Sequence, residues 1–248
     1  MIEELQFGFP LLSVLIFLPL IGAIILWLQK DPDLLKKSAL GIAVFEFVLS
    51  VWLLLRFVPE SAAMQFSERL NWIPPLGISY HLAVDGISIL FVGLTAFLTV
   101  MIILYSWDSV SEKLKPYFMS ILALETTIIG IFVSIDLILF FVFWELMLIP
   151  SYFLIKLWGV GEEKEYAALK YVLYTLLGSV FMLVGFALLS LNYHDVKQVY
   201  SFDLLDLLTV PVPVGQQVLI FWLIFSYLFI IILFTSPYNS INFQKSFP

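Results

Sequence analysis

Glu145 is the only charged residue in the stretch 137–155, LILFFVFWELMLIPSYFLI, which Asp136 and Lys156 bracket. On a helix rising about 1.5 Å per residue it lies roughly 14 Å from Asp136 and roughly 16 Å from Lys156. That is near the midplane of a hydrocarbon layer about 30 Å thick. A bare carboxylate at that depth costs several kcal/mol unless it is paired, hydrated or protonated, and such acids mark ion or proton paths. Pro150, five residues on, has no N–H to offer the Leu146 carbonyl, and its ring crowds that carbonyl. The helix is therefore expected to be distorted beside the carboxylate, as membrane helices tolerate where polar groups or water resatisfy the backbone. The alternative for Glu145 is a structural hydrogen bond to a neighbouring helix.

Three further side chains are candidates. Lys170 enters a later apolar run about five residues deep, and Tyr171, Tyr174, Thr175 and Ser179 follow it. It either snorkels to the interface or turns inward toward Glu145, where acid and base could exchange a proton. Glu125 could extend a polar path. Glu46, with few polar neighbours in sequence, reads better as a helix–helix hydrogen bond. Asp85, His81 and His194 fall at helix ends or in loops, where capping or solvation is expected.

The elements that must hold these groups are membrane helices. Of 248 residues 62% are hydrophobic and 12% charged, about half the charged fraction of a soluble domain. The chain reads as an all-α polytopic membrane protein with spans near 9–29, 38–58, 86–106, 116–133, 136–157, 166–191 and 217–235, forming a single transmembrane domain, with 236–248 an atypical tail. The first span is too long for a signal-peptide core, and Glu3 and Glu4 precede it without any Lys or Arg, so it is expected to be retained. Pro116 suits a first helical turn, and Asp85 and Asp136 suit N-caps. Between spans two and three, LNWI (70–73) and ISYHLAV (78–84) flank PPLG (74–77), which predicts a short extracytoplasmic β-hairpin. A short interfacial helix is expected around Ser201–Leu208. Gly178 and Gly185, seven apart, suit close helix packing.

Positive charges orient the chain. Lys30, Lys36, Lys37, Lys113, Lys115, Lys156, Lys164 and Lys245 fall on one side, against Arg56, Arg69 and Lys197 on the other. The first side is thereby cytoplasmic and the N-terminus extracytoplasmic. With no cysteine, two distant histidines and no glycine-rich phosphate loop, no disulfide, thiolate-held cluster or nucleotide site is expected. The net charge of −7 offers no patch for nucleic acid. Transport is the chemistry that remains.

Three blocks then resemble one family: YHLAVDGIS (80–88), DLILFFVFWELMLIPSYFLI (136–155) and ALKYVLY (168–174). Together they are similar to the antiporter-like subunit M (chain 4) of respiratory complex I, NADH:quinone oxidoreductase. The likeness runs from about Leu11 to Ile224. The Phe-Trp-Glu-x-x-x-x-Pro block is shared with related antiporter-like subunits, whereas the His81-centred block points more narrowly to subunit M. The resemblance implies a proton-translocating subunit of the membrane arm, with other membrane-arm subunits and the lipid bilayer as partners. Its setting would be a bacterial inner (plasma) membrane or a thylakoid membrane. It further implies that Glu145 is the half-channel glutamate, that Lys170 matches a sixth-helix lysine, and that NADH, flavin, iron–sulfur clusters and quinone reside in other subunits. As a subunit the chain is thus expected to take part in an enzyme, with no redox site of its own.

One departure stands out. Family members continue helix seven through a lysine and a His-x-Trp-Leu-Pro-Asp motif, whereas here no charged residue occurs between Gln217 and Gln244. The resemblance accordingly predicts a truncated or frame-shifted form with about half the family's length, or one completed by a second polypeptide. Alone it is not expected to translocate protons. The other readings are a subunit of a multi-subunit sodium/proton antiporter and an inactive structural fragment.

Overall fold

A computed structural model of the chain describes residues 4–5, 9–61 and 63–235; the side chains of 226–235 and the tail 236–248 lie outside what is described. Its helices are α1 (Leu11–Leu28), α2 (Pro32–Arg56), α3 (Ser88–Ser109), α4 (Leu114–Val133), α5 (Leu137–Leu146), α6 (Leu148–Trp158), α7 (Lys164–Lys197), α8 (Leu204–Leu207) and α9 (Val214–Thr235). Three strands, β1 (Glu4–Leu5), β2 (Met64–Ile73) and β3 (Ile78–Val84), complete it. Six stretches among the described residues are long and apolar enough to cross a membrane, α5 and α6 counting as one, and Val214–Phe225 is a shorter apolar stretch. The molecule is a polytopic helical membrane protein.

Local chemistry explains the boundaries. Pro32 opens α2 at a position where its missing N–H costs nothing, and the Asp31 carboxylate accepts the Asp33 N–H at 3.1 Å. Asp136 caps α5, its Oδ1 accepting the N–H groups of Ile138 and Leu139 at 2.9 and 3.2 Å. Asp85 does not cap α3 directly. A turn through Gly86 intervenes and Ile87 takes the cap position, while Asp85 accepts the Ile87 and Ser88 N–H groups. Burial pushes the Asp85 carboxyl up, but the bonds from Ser88 and Ile87 outweigh it and hold the group below its ordinary range.

Several elements differ from the sequence expectation. The fifth span is two helices that meet at Met147, in the turn before Pro150. α7 runs on to Lys197, 34 residues in all, or about 50 Å, so it projects well beyond a hydrocarbon layer. The helix expected at Ser201–Leu208 is the single turn α8, capped by Asp203. The hairpin is longer than its flanking motifs indicated, and β1 pairs with β2 in parallel to make three strands ordered β1-β2-β3.

The sheet is tied to the helices from three directions. Asp136 Oδ2 accepts the Ser79 N–H at 2.8 Å, the Ile135 N–H donates to the His81 carbonyl, and the Phe202 N–H donates to the Gly77 carbonyl. Gly77 has φ +66°, and a Cβ there would overlap the Tyr200 backbone, so no other residue fits. Glu68 reaches the start of α1, where it accepts the N–H groups of Leu12 and Ser13 at 2.6 and 3.1 Å. Inside, the core divides in two. Leu12, Leu15, Leu53, Ile89, Ile129 and Val133 pack at the sheet end. Leu26, Leu35, Ala39, Ile103, Phe118 and Leu122 pack at the other.

Candidate functional site

Glu145 sits on the last turn of α5, where Gly130 lets the helix approach α4. A Cβ at Gly130 would run into the Phe143 ring, two residues before Glu145. Oε1 of Glu145 is buried with no hydrogen-bond partner. The carboxyl group faces Ser179 of α7. Ser179 and Thr175 are buried on one face of α7, and their hydroxyls donate to the carbonyls of Leu176 and Tyr171 at 2.9 and 2.7 Å. A hydroxyl whose proton is committed to its own helix turns a lone pair outward. Opposite Glu145 that lone pair suits a protonated acid, and rotation of the hydroxyl would suit the ionised one. Beside it, Ser151 bonds the Met147 carbonyl through both its N–H (3.3 Å) and its hydroxyl (2.8 Å). The Met147 carbonyl thus takes two donors from Ser151, next to the Leu146 carbonyl that Pro150 has no N–H to serve.

Lys170 does not join this site. It lies nine residues before Ser179, about two and a half helical turns, and therefore on the opposite face of α7. Its ammonium lies 5.8 Å from the Tyr174 ring centroid. Around it is an open groove of about 350 Å³ lined by Tyr166, Leu169, Leu173, Tyr174 and Leu177. Glu145 and Lys170 form no ion pair.

Glu125 has a different neighbour from the one a polar path to Glu145 requires. It is 1% exposed, Glu46 of α2 is fully buried, and the two carboxyl groups bear on one another electrostatically. The Thr99 hydroxyl of α3 faces Glu125. None of the four carboxyl oxygens has a hydrogen-bond partner. Counting residues could have found their common depth, though not that the two helix faces meet. α2 and α4 both start from the lysine-rich side, and the two acids lie 14 and 11 residues beyond Pro32 and Leu114, within about 5 Å of the same depth.

A third cluster was not legible as a site. His81 is fully buried rather than solvated. Its Nδ1 lies 2.6 Å from Asp203 Oδ2 and its Nε2 lies 3.1 Å from the Ser67 hydroxyl. Arg69 reaches the same Asp203 oxygen at 3.2 Å, and the Leu205 N–H donates to Oδ1 at 2.9 Å. Burial pushes the Asp203 carboxyl up, but the hydrogen bond and charge of His81, with Arg69 and the Leu205 N–H, outweigh it and hold the group below its ordinary value. Asp203 arrives from 122 residues away, and no local pattern announces it. His194, also expected in solvent or as a cap, lies in the last turn of α7 and stacks on Tyr200 with centroids 4.2 Å apart. Among the described residues no group of three or more His, Cys, Asp and Glu could hold a metal ion.

A family model described as NADH:quinone oxidoreductase/Mrp antiporter, TM, matches residues 134–243. The NADH-quinone oxidoreductase subunit M of Rickettsia conorii is 38% identical over 223 residues, 87% of this chain. Across the aligned residues this chain is similar to that subunit. It spans 44% of the length of that relative. Among solved structures, a chain of respiratory complex I from Thermus thermophilus with bound NADH is similar at TM-score 0.72 and 26% identity, over 87% of this chain and 43% of that one. A chain of the Mrp complex from Dietzia sp. DQ12-45-1b gives TM-score 0.69 at 16% identity, over 92% of this chain and 23% of that one, a likeness of fold alone. The subunit M blocks lie on the elements described above. The 80–88 block forms the end of β3 and the turn into α3, the 136–155 block forms α5 and most of α6, and the 168–174 block lies early in α7.

Proposed function

We propose that this chain supplies an antiporter-like, proton-carrying part of the membrane arm of an NADH:quinone oxidoreductase, with Glu145 as its protonatable group. The observation that carries the reading is the Glu145 carboxyl itself, at mid-span, with one buried oxygen unpartnered and the Ser179 hydroxyl opposite. Electron transfer takes place in other subunits, which hold the NADH, flavin, iron–sulfur and quinone sites, and its energy changes the field or hydration around Glu145. Glu145 then gains or loses a proton while Ser179 rotates between accepting from it and donating to it. The distorted backbone before Pro150 gives water a polar foothold beside it. The lysine-rich loops face the cytoplasm, and the sheet lies on the opposite side.

Lys170 is assigned a place at the cytoplasmic end of α7, over Tyr174, instead of as the direct partner of Glu145. The basic group that receives the proton belongs to the portion of the longer relatives that this chain does not span. The test is Glu145→Gln in the assembled complex, reconstituted in vesicles and driven by NADH. A marked fall in protons moved per NADH oxidised, with assembly intact, is the expected result. Unchanged pumping would overturn the assignment, and sodium movement in place of proton movement would favour an antiporter of the sodium/proton type.

A further inference from the structure

We propose that Glu46 and Glu125 form a second protonation centre, an acid pair that holds a shared proton between α2 and α4. The pair goes beyond the role given to Glu145 and does not depend on it. It lies in a layer of its own. On α2, Glu46 falls between Ala43 of one apolar cluster and Leu53 of the other; on α4, Glu125 falls between Leu122 and Ile129; on α3, Thr99 falls between Val92 and Val100 or Ile103. The two acids are therefore sealed above and below by hydrocarbon.

Among the described residues no cation lies at the level of the pair: on α2 itself Asp33, Lys36 and Lys37 lie near the start and Arg56 at the end. α1 has no titratable side chain, α3 has Tyr105 and Asp108 only toward its lysine-side end, and α4 has Lys115 and Tyr117 at its start. α5 and α6 bring Glu145, Tyr152 and Lys156 to other parts of α4, and β3 brings Tyr80 and His81 to the sheet end. The Thr99 hydroxyl faces Glu125, and the Glu125 charge bears on Glu46. Thr99 donates its hydroxyl proton to the Thr95 carbonyl at 3.1 Å, and Ser50, one turn beyond Glu46, donates to the Phe47 carbonyl at 2.8 Å. Like Ser179 opposite Glu145, the Thr99 hydroxyl can offer a lone pair to a protonated Glu125 or rotate to donate to an ionised one, so it serves both states of the pair. Two ionised carboxylates buried between α2 and α4, their oxygens without hydrogen-bond partners, repel each other and are poorly solvated. One proton held between them relieves both costs, and a second proton makes the pair neutral. The ligand of this site is the proton, and hydration is what would let it exchange.

The experiment is infrared titration of the protonated-carboxyl C=O stretch in the full chain reconstituted in lipid, on a Glu145→Gln background so that Glu145 contributes nothing. The expected result is two coupled steps from the pair. Glu46→Gln or Glu125→Gln alone should leave one step, at least about one pH unit below the upper of those two, because the like charge is gone. The double variant should lose both. Downshift of the band in D2O confirms that the proton exchanges. Single variants that titrate independently and add up to the parent would overturn the sharing. Loss of no band in the double variant would overturn the protonation, as would a titration that moves with sodium at fixed ionic strength. If a Gln variant fails to fold, the parent alone still decides the matter: two separated steps with a D2O-sensitive band support the pair, and their absence removes it.

Discussion

Asn in place of Asp203 keeps the side chain's shape and its acceptor for the Leu205 N–H, and replaces the oxygen that His81 and Arg69 share with an NH2 group, so charge and acceptor go together. The His81 bond is wholly buried at 2.6 Å, and a hydrogen bond to a charged group of that kind contributes about 1.5–3 kcal/mol. Arg69 is 41% exposed in its 3.2 Å pair with the same oxygen, so solvent limits that contribution to about 0–1 kcal/mol. Asp203→Asn should therefore destabilise the fold by about 2–4 kcal/mol, roughly 30- to 1,000-fold in the unfolding equilibrium. The assay is reversible unfolding of the chain in mixed micelles of lipid and denaturing detergent, repeated with His81→Phe and with both changes together. The double-mutant cycle should return a coupling of at least about 1.5 kcal/mol, and Arg69→Gln should cost no more than about 1 kcal/mol. The folded protein holds the Asp203 carboxyl below its usual value of 3.8, so the stability it contributes is full above that pH and is lost as pH falls through the lower folded value. The gap between parent and Asp203→Asn should accordingly close in acid. A loss below about 0.5 kcal/mol at neutral pH, or strictly additive effects of His81 and Asp203, would refute the reasoning.

Gly130→Val should cost about 1–3 kcal/mol through overpacking against Phe143, and Phe143→Leu should recover part of it in the same unfolding assay. Glu68→Gln weakens the carboxylate that caps α1 and should cost about 1–3 kcal/mol. Burial pushes the Glu68 carboxyl up, with the Ser13 and Leu12 bonds opposing it. Its raised folded value therefore favours the native state in acid, a contribution lost as pH rises through that value, and a parent-minus-variant difference that grows with pH would contradict this. Lys170→Met should leave the infrared titration of Glu145 unmoved, because Lys170 and the Ser179 face point apart on α7; a clear shift would show that the two communicate.

Membrane helices announce themselves by hydrophobicity, and Asp136 and Pro116 mark the first turns of α5 and α4 by local chemistry, whereas the start of α2 at Pro32 lay six residues before the expected span. The hairpin was equally open to reading because Pro74-Pro75-Leu76-Gly77 is a local turn signal. What stayed hidden depends on which face of one helix meets which face of another. The separation of Lys170 from Ser179 follows from counting turns, yet only once Ser179 is known to be the residue Glu145 meets. His81 and Asp203 are joined by a chain reversal through five intervening helices, and composition along the sequence carries no trace of it. Glu46 lacked polar neighbours in sequence because its neighbour, Glu125, lies on a different helix.

The carboxylate of Asp136 grips two bodies at once: the first turn of the helix that ends at Glu145, and the backbone of Ser79 in the sheet. The hairpin, whose tip at Leu70–Leu76 is exposed, is thereby joined to the amino end of α5 through one side chain. The exposed tip and the acid nine residues on from Asp136 thus belong to one connected path through the protein.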